Sequence, residues 1–447
     1  MQIQGKGFAD ASFYNLMKKV AITTLGCKVN QYESACIASG FEADGYSLVD
    51  FDEQADVYVI NTCTVTNRTD FKSRNAIRRA LAAKESNPGV KIIVTGCFSQ
   101  RQYKQVHELG DIDLVVDNQH KDMIPELVEA QTEYFSDIMD YHDFRELTAT
   151  HMPERSRAFI KVQDGCDFYC AYCAVPYARG HSRSRDAQKI LDQISLLTAN
   201  GYQEFVLGGI NLGLYGADFS PRMELADLLA MIEKIEGVKQ IRISSIEPQL
   251  ITEKLWSYIE SSEKLCHHFH VSMQSGSDTI LQSMRRHYDS CAFHSIITRL
   301  KSIHPDMAIG LDVITGFPGE TDDLFQETFH FLEYLLFSYL HVFTYSSRPG
   351  TAASKMKNTV HGSVSAQRNK MLRELSGTKL NTYTQWLCDH HIPLSGILET
   401  RERGYWTALS DHFVRLYCAS DKVEKGEFIH ARPIRIFRDG VEVAIDD

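Results

Sequence analysis

The sequence predicts an α/β protein in three parts: an N-terminal parallel α/β sheet domain, a central incomplete (β/α)6 barrel, and a small C-terminal all-β domain of OB-like size. Apolar runs alternate with helix-like segments from about residue 18 to residue 390, the pattern of parallel strands joined by crossover helices. A polar stretch with scattered aromatics and no clear period breaks that alternation at 132–154 and reads as a linker. From residue 392 the pattern turns to short strands separated by turn residues. At 447 residues the chain exceeds one ordinary core, and the expected parts are 18–131, the linker 132–154, 155–391 and 392–447.

In the first part, residues 20–25 read as a strand followed by a helix near 32–43, and residues 55–60 as a second strand followed by a basic helix at 72–84. Residues 91–95 form a third strand with a helix near 101–108, and 114–116 a short fourth. The second part places strands at 158–163, 204–207, 240–244, 268–273, 308–315 and 339–343, each followed by a helical segment. Six such units in a row favour an open or incomplete barrel over a doubly wound sheet, and active sites of such barrels lie at the C-terminal strand ends. A long helix at 363–390 closes this part; short strands at 394–400, 405–409, 414–418, 427–432 and 434–437 suggest a small β-barrel.

Hydrophobic content of 43% and charged content of 23% are those of a folded globular chain. No apolar run reaches the ~18 residues of a membrane span, and the start MQIQGKGFAD lacks the apolar core of a signal peptide, so no membrane partner and a cytoplasmic location are expected. The net charge of −11 argues against broad non-specific nucleic-acid binding. It leaves RNA open as a substrate, because phosphates are gripped by local patches. Residues 1–17 receive no role. Eleven cysteines in such a chain point to metal ligation or redox chemistry before disulfides.

The strongest local signal is Cys166-Asp-Phe-Tyr-Cys170-Ala-Tyr-Cys173, just after the first barrel strand. Three thiolates on one loop can hold three irons of a [4Fe–4S] cluster and leave the fourth open to a ligand. A zinc site completed by His181 satisfies the same spacing, but the position on the first of six βα units favours the cluster. A second set is spread out: Cys27, Cys63 and Cys97 follow the first, second and third N-terminal strands, 36 and 34 residues apart. Neighbouring parallel strands place their carboxyl ends side by side, so these thiols are expected to converge on a second three-cysteine cluster. One such cysteine would be an ordinary buried thiol; three at equivalent positions are not. Cys36, Cys266, Cys291, Cys388 and Cys418 show no ligand spacing and are taken as packed or incidental thiols.

The Cys166–Cys173 motif, with Tyr172 before its last cysteine, resembles the signature of radical S-adenosylmethionine (SAM) enzymes. In that family the open iron chelates SAM, whose reductive cleavage releases a 5′-deoxyadenosyl radical. By the same resemblance Gly208, Gly209 and Asn211 correspond to the motif that meets the SAM amino group, and Asp312 and Gly316 to the segment flanking the adenine. With the N-terminal cysteines and the C-terminal β domain, the chain resembles the radical-SAM methylthiotransferase family from about residue 18 to its end. Supporting stretches are Gly26–Asn30, Asn61–Cys63, Thr95–Cys97, Pro176–Gly180, Gln274–Ser277 and Ser347–Thr351. The C-terminal domain is similar to the TRAM module, which in this family binds RNA. Gln163–Cys166, Gly209–Gly213, Ser244–Pro248 and Met284–Tyr288 look most like the branch acting on tRNA N6-threonylcarbamoyladenosine. The isopentenyladenosine branch and a branch modifying a ribosomal-protein aspartate remain alternatives. Ser272 departs from the family pattern, which has a proline there.

The resemblance implies two [4Fe–4S] clusters, SAM, a tRNA anticodon loop as substrate, and unidentified electron and sulfur donors. C2 of adenine carries no acidic proton, so radical chemistry rather than a general base must activate it, and the base must leave the loop stack. Among basic residues, Arg74 and Arg78 share a helix face, while Arg179, Arg183 and Arg185 follow the cysteine loop and are candidates for a phosphate or the threonylcarbamoyl carboxylate. The C-terminal domain is not basic overall; Tyr405, Trp406, Phe413 and Tyr417 could stack on RNA bases, though at least half of them are expected in its core. A zinc-stabilised, non-catalytic RNA-binding protein is the competing class. A radical-SAM oxidoreductase on a small molecule would leave Cys27, Cys63 and Cys97 without a task.

Overall fold

The structure, a computed structural model, describes residues 17–149 and 156–446; residues 1–16 and the linker residues 150–154 named above lie outside that range. The described chain divides into two compact units. Among its described residues, no helix is long and apolar enough to cross a membrane.

The first unit is a parallel sheet of strands β1 (Lys19–Thr24), β2 (Ser47–Val49), β3 (Val57–Thr62), β4 (Lys91–Gly96) and β5 (Leu114–Val115), ordered β2-β1-β3-β4-β5. The central strand VYVINT is buried at every residue, because helices cover both faces of a parallel sheet. Tyr58 and Ile60 enter one core with Ile77 and Val94; Val57 and Val59 enter the other with Ile37 and Phe41. The helices Lys28–Ala43 and Asn67–Ser86 fall where the apolar period places them. Two details differ from expectation. The edge strand β2 escapes a periodicity reading because it is three residues long and only half-buried. The helix expected near 101–108 is two short helices, Cys97–Arg101 and Tyr103–His107, broken at Gln102.

In the second unit, β6 (Arg157–Lys161) leads into a small antiparallel pair, β7 (Gln163–Asp164) and β8 (Arg183–Ser184), which brackets the cysteine loop. Then follow β9 (Glu204–Gly208), β10 (Gln240–Ile243), β11 (His268–Gln274), β12 (Ala308–Thr315) and β13 (Tyr339–Thr344). Two parallel three-stranded sheets, β10-β9-β6 and β11-β12-β13, are joined through the bridges Ile241–Leu265 and Ile246–Val271. The result is the open six-stranded array anticipated from sequence, and the helix Gly362–Asp389 follows it.

The C-terminal strands β14 (Leu394–Glu402), β15 (Tyr405–Ser410), β16 (Arg415–Cys418), β17 (Phe428–Phe437) and β18 (Gly440–Ile445) close a barrel in the order β14-β15-β16-β18-β17. Here two expected strands are one. Pro433 looks like a break, but it sits beside a register shift between Pro433 and Arg435, where a missing N–H is tolerated. The strand β18 is an addition to the expected five, and Asp439-Gly440 marks its hairpin with β17.

Candidate cluster sites at the strand ends

In the first unit the sheet register brings the N-terminal cysteines to one edge. Thr24 pairs with Asn61, and Thr62 with Gly96, so Cys27, Cys63 and Cys97 leave the carboxyl ends of three adjacent strands. Cys27 caps the helix Lys28–Ala43 and Cys97 opens Cys97–Arg101, so both sit at helix ends that favour negative charge. The residues around them explain the local motifs. Asn30 Nδ2 donates to the carbonyls of Leu25 (2.8 Å) and Thr62 (3.0 Å), and Asn61 Nδ2 donates to the Asn30 carbonyl (2.9 Å). These bonds tie the first cysteine loop to the second. Ser73 braces Cys63 by accepting from its N–H at 3.2 Å and donating to its carbonyl at 3.0 Å.

Two glycines are required by close approach. Gly26 and Gly96 hold φ of +99° and +102°; a β-carbon at 26 would stand 2.6 Å from the Cys63 sulfur, and one at 96 would stand 2.3 Å from the Thr62 carbonyl oxygen.

In the second unit the loop after β7 carries Cys166, Cys170 and Cys173. Cys166 N–H donates to the Gly180 carbonyl (3.0 Å), Cys173 N–H to that of Cys170 (3.0 Å), and Ala171 N–H to that of Met284 (2.9 Å). Gln163 organises the entry: Nε2 donates to the Gly165 carbonyl at 2.8 Å, and Oε1 accepts from Asn211 N–H at 2.8 Å. Asn211 Nδ2 reaches Cys166 Sγ at 3.5 Å, and Arg286 Nη1 reaches Cys170 Sγ at 3.2 Å. Burial raises the pKa of all three thiols, Cys173 to about 12. Thiolates therefore persist here only opposite positive charge, which cluster irons supply.

The SAM expectations meet a consistent setting. Gly208 ends β9 and Gly209 follows it, and β-carbons there would stand 2.2 Å from the Phe159 ring and 2.8 Å from Gln163 Oε1. Asn211 Oδ1 is buried beside the cysteine loop without a hydrogen-bond partner, an acceptor suited to an amino group. Tyr172 and Asp312 line one cavity with Gln274 and Ile314. Gly316 holds φ of +74°, and its N–H donates to Glu320 at 2.7 Å. Burial alone would raise the Asp312 carboxyl, but His270 and His341 hold it down at about 2.

Three expectations are corrected. Arg179, Arg183 and Arg185 are only 1%, 2% and 1% exposed. Arg179 and Arg183 share Asp164, at 3.3 and 3.9 Å, with Lys161, and Arg185 pairs with Glu146, so all three are engaged by carboxylates of the chain. The loop between β7 and β8 thus gathers Lys161, Arg179 and Arg183 around one buried carboxylate, and the three arginines are buried rather than on the surface. His181 faces Asp167 at 2.7 Å, with its ring against His142.

Sequence reasoning gave Arg286 and Glu247 no role. They form an ion pair in which Arg286 is buried and Glu247 partly buried, and Arg286 also donates to Tyr288 Oη (3.1 Å) and the Ser272 carbonyl (3.2 Å). Both lie in stretches noted for resemblance, Met284–Tyr288 and Ser244–Pro248, which was the only signal available. Of the four C-terminal aromatics, Tyr417 is buried, Tyr405 and Trp406 are half-buried, and Phe413 stacks on His268 at 4.2 Å.

A three-cysteine loop at the first strand of an open β/α array defines a radical-SAM protein, and the Radical SAM superfamily matches residues 160–332. Residues 19–117 match the family described as Uncharacterized protein family UPF0004. The chain is 39% identical over 410 residues to the threonylcarbamoyladenosine tRNA methylthiotransferase MtaB of Bacillus subtilis, covering 90% of each. It is 40% identical to the Aquifex aeolicus protein of the same name, over 81% of this chain and 88% of that one. The tRNA-2-methylthio-N(6)-dimethylallyladenosine synthase of Clostridium novyi is 32% identical, over 82% of each. The solved structure of the radical SAM methyltransferase TsrM from Kitasatospora setae shares the fold, with a TM-score of 0.56 at 14% identity over 74% of this chain and 75% of that one. The chain belongs to the radical-SAM methylthiotransferase family.

Proposed function

We propose that this enzyme places a methylthio group on C2 of N6-threonylcarbamoyladenosine at position 37, beside the anticodon of tRNA, with two [4Fe–4S] clusters and SAM. The observation that carries the reading is the convergence of Cys27, Cys63 and Cys97 on three adjacent strand ends, in a chain that also has the Cys166–Cys173 loop. Identities of 39% and 40% to threonylcarbamoyladenosine enzymes, against 32% to the dimethylallyladenosine enzyme, favour this substrate. So does the failure of a small-molecule reading to use the N-terminal cysteines.

Bound at these sites, the clusters and SAM supply the radical and a holding place for the incoming sulfur. The chain's own part is to position and shield. Cys166, Cys170 and Cys173 would hold one cluster, with Asn211 and Arg286 donating to two of their sulfurs. Asn211 Oδ1 would accept from the SAM amino group beside Gly208 and Gly209, and Tyr172 with the segment from Asp312 to Gly316 would flank the adenine. The division at 18–131, 132–154, 155–391 and 392–447, RNA contact by a TRAM-like C-terminal domain and by Arg74 and Arg78, unidentified electron and sulfur donors, and a cytoplasmic location with the tRNA belong to the same proposal.

The test is iron and sulfide per chain after anaerobic reconstitution, for wild type and for Cys27→Ala/Cys63→Ala/Cys97→Ala. About eight irons in wild type and about four in the variant are expected. The 2-methylthio product should then appear in tRNA bearing threonylcarbamoyladenosine with wild type alone. Equal iron in the two proteins would make the N-terminal cysteines structural and overturn the reading.

A further inference from the structure

The geometry points to a mononuclear site for a divalent transition-metal ion at His270, Asp312 and His341, separate from both cysteine sets. The three residues lie on adjacent parallel strands, β11, β12 and β13, and Asp312 is the direct register partner of His341. His270 Nε2 stands 3.3 Å from Asp312 Oδ1, and His341 Nδ1 stands 3.5 Å from the same oxygen. All three donor atoms fall within 4.8 Å of one another. Ligands about 2.1 Å from one tetrahedral ion stand about 3.4 Å apart, so these separations are those of ligands around an ion. They exceed the lengths of charge-assisted hydrogen bonds.

A second observation points the same way. The His270 residue is 6% exposed, and its Nε2 has no hydrogen-bond partner, although Asp312 is near. Its other nitrogen, Nδ1, lies 2.7 Å from Ser245 Oγ. That is how a metal-binding imidazole is held: one nitrogen fixed from outside, the other aimed at the ion. The neighbouring group of His267, Asp306 and His412 supplies the contrast. There the same atom types meet at 2.7 and 2.9 Å, as closed hydrogen bonds with no space for an ion.

The donor set names the ligand class. Two imidazoles and one carboxylate suit zinc, iron or cobalt and not magnesium or calcium, which take oxygen donors. Three protein ligands leave coordination positions open. The His341 side chain is half exposed, and Asp312 lines the cavity shared with Tyr172 and Gln274, so those positions are accessible.

The test uses reconstituted holoprotein, chelator-washed and desalted, with Co2+ as the probe; bound cobalt and iron are read together by mass spectrometry. Wild type should retain about one cobalt per chain beyond its iron, the stoichiometry of one three-ligand site. His341→Ala, a change at a half-exposed position, should retain none while keeping its iron. Ser245→Ala should weaken cobalt binding roughly 10–100-fold, as loss of an outer-shell partner does. His267→Ala should bind like wild type. No retained cobalt in wild type, equal cobalt in wild type and His341→Ala, or a loss confined to His267→Ala would each overturn the assignment.

Discussion

Single atoms decide whether the cysteine sites can form. At position 26 the backbone is left-handed, and a side chain would have to share space with the Cys63 sulfur 2.6 Å away. Gly26→Ala is therefore expected to cost about 1 kcal/mol in backbone strain and, more tellingly, to push Cys63 off its position. The reconstituted variant should hold about four irons rather than about eight, with the Cys166–Cys173 site still loaded; a full complement would show that the approach is not limiting. Arg286 illustrates the opposite case, a residue whose role rests on its partners. It donates to Cys170 Sγ while facing the partly buried Glu247, so the positive charge beside the thiol is itself neutralised. Ser272, where the family pattern has proline, keeps an N–H that donates to the Ile246 carbonyl at 3.1 Å. Proline could not make that bond.

Among elements, what was legible in the sequence was what repeats. The period of apolar runs gave the parallel strands, and a cysteine after each of three strands gave the edge on which they gather. What was not legible depends on partners distant in the chain. Arg179, Arg183 and Arg185 read as RNA-binding because charge is visible in a sequence, whereas the carboxylates of Asp164 and Glu146 that engage them are found only by folding. The group of His270, Asp312 and His341 has no spacing signature, since its members are joined by strand pairing alone.

The same sorting refines the basic helix Asn67–Ser86. Arg79 pairs with Asp52, Lys84 with Asp111 and Asp113, and Arg74 lies over Phe98 at 5.9 Å. Lys72 and Arg78 are exposed, with no ion pair among the described residues. If this face meets tRNA, Arg78→Glu should raise the Kd severalfold with no change in iron content. It should also lower the slope of log K against log salt by about one or more. Unaltered binding across a salt titration would remove the helix from the RNA surface.

Within the second unit, the C-terminal β-barrel is built into the β/α array. Ala308, Tyr383 and Leu387 share a core with Leu398, Leu416 and Val441, and Arg242 donates to the Ser410 carbonyl at 2.9 Å. His412 sits in this seam between two carboxylates, 2.8 Å from Asp411 and 2.9 Å from Asp306. Burial pulls its pKa down, but the two carboxylates outweigh that and hold it at about 9. In the unfolded chain the same imidazole titrates near 6.5. The folded state therefore binds the proton more tightly, and the stabilisation, roughly 3 kcal/mol for a shift of this size, is fully present below pH ~6.5. It is lost as the pH rises towards about 9, leaving a neutral imidazole between two partly buried acids. Thermal unfolding followed from pH 6 to pH 9.5 (a range set to span about 6.5 to about 9) should show wild type losing stability across that window. His412→Gln should begin lower and change less. Parallel curves for the two proteins would mean that His412 enters the seam uncharged, and that packing and the Arg242 bonds hold the barrel without it.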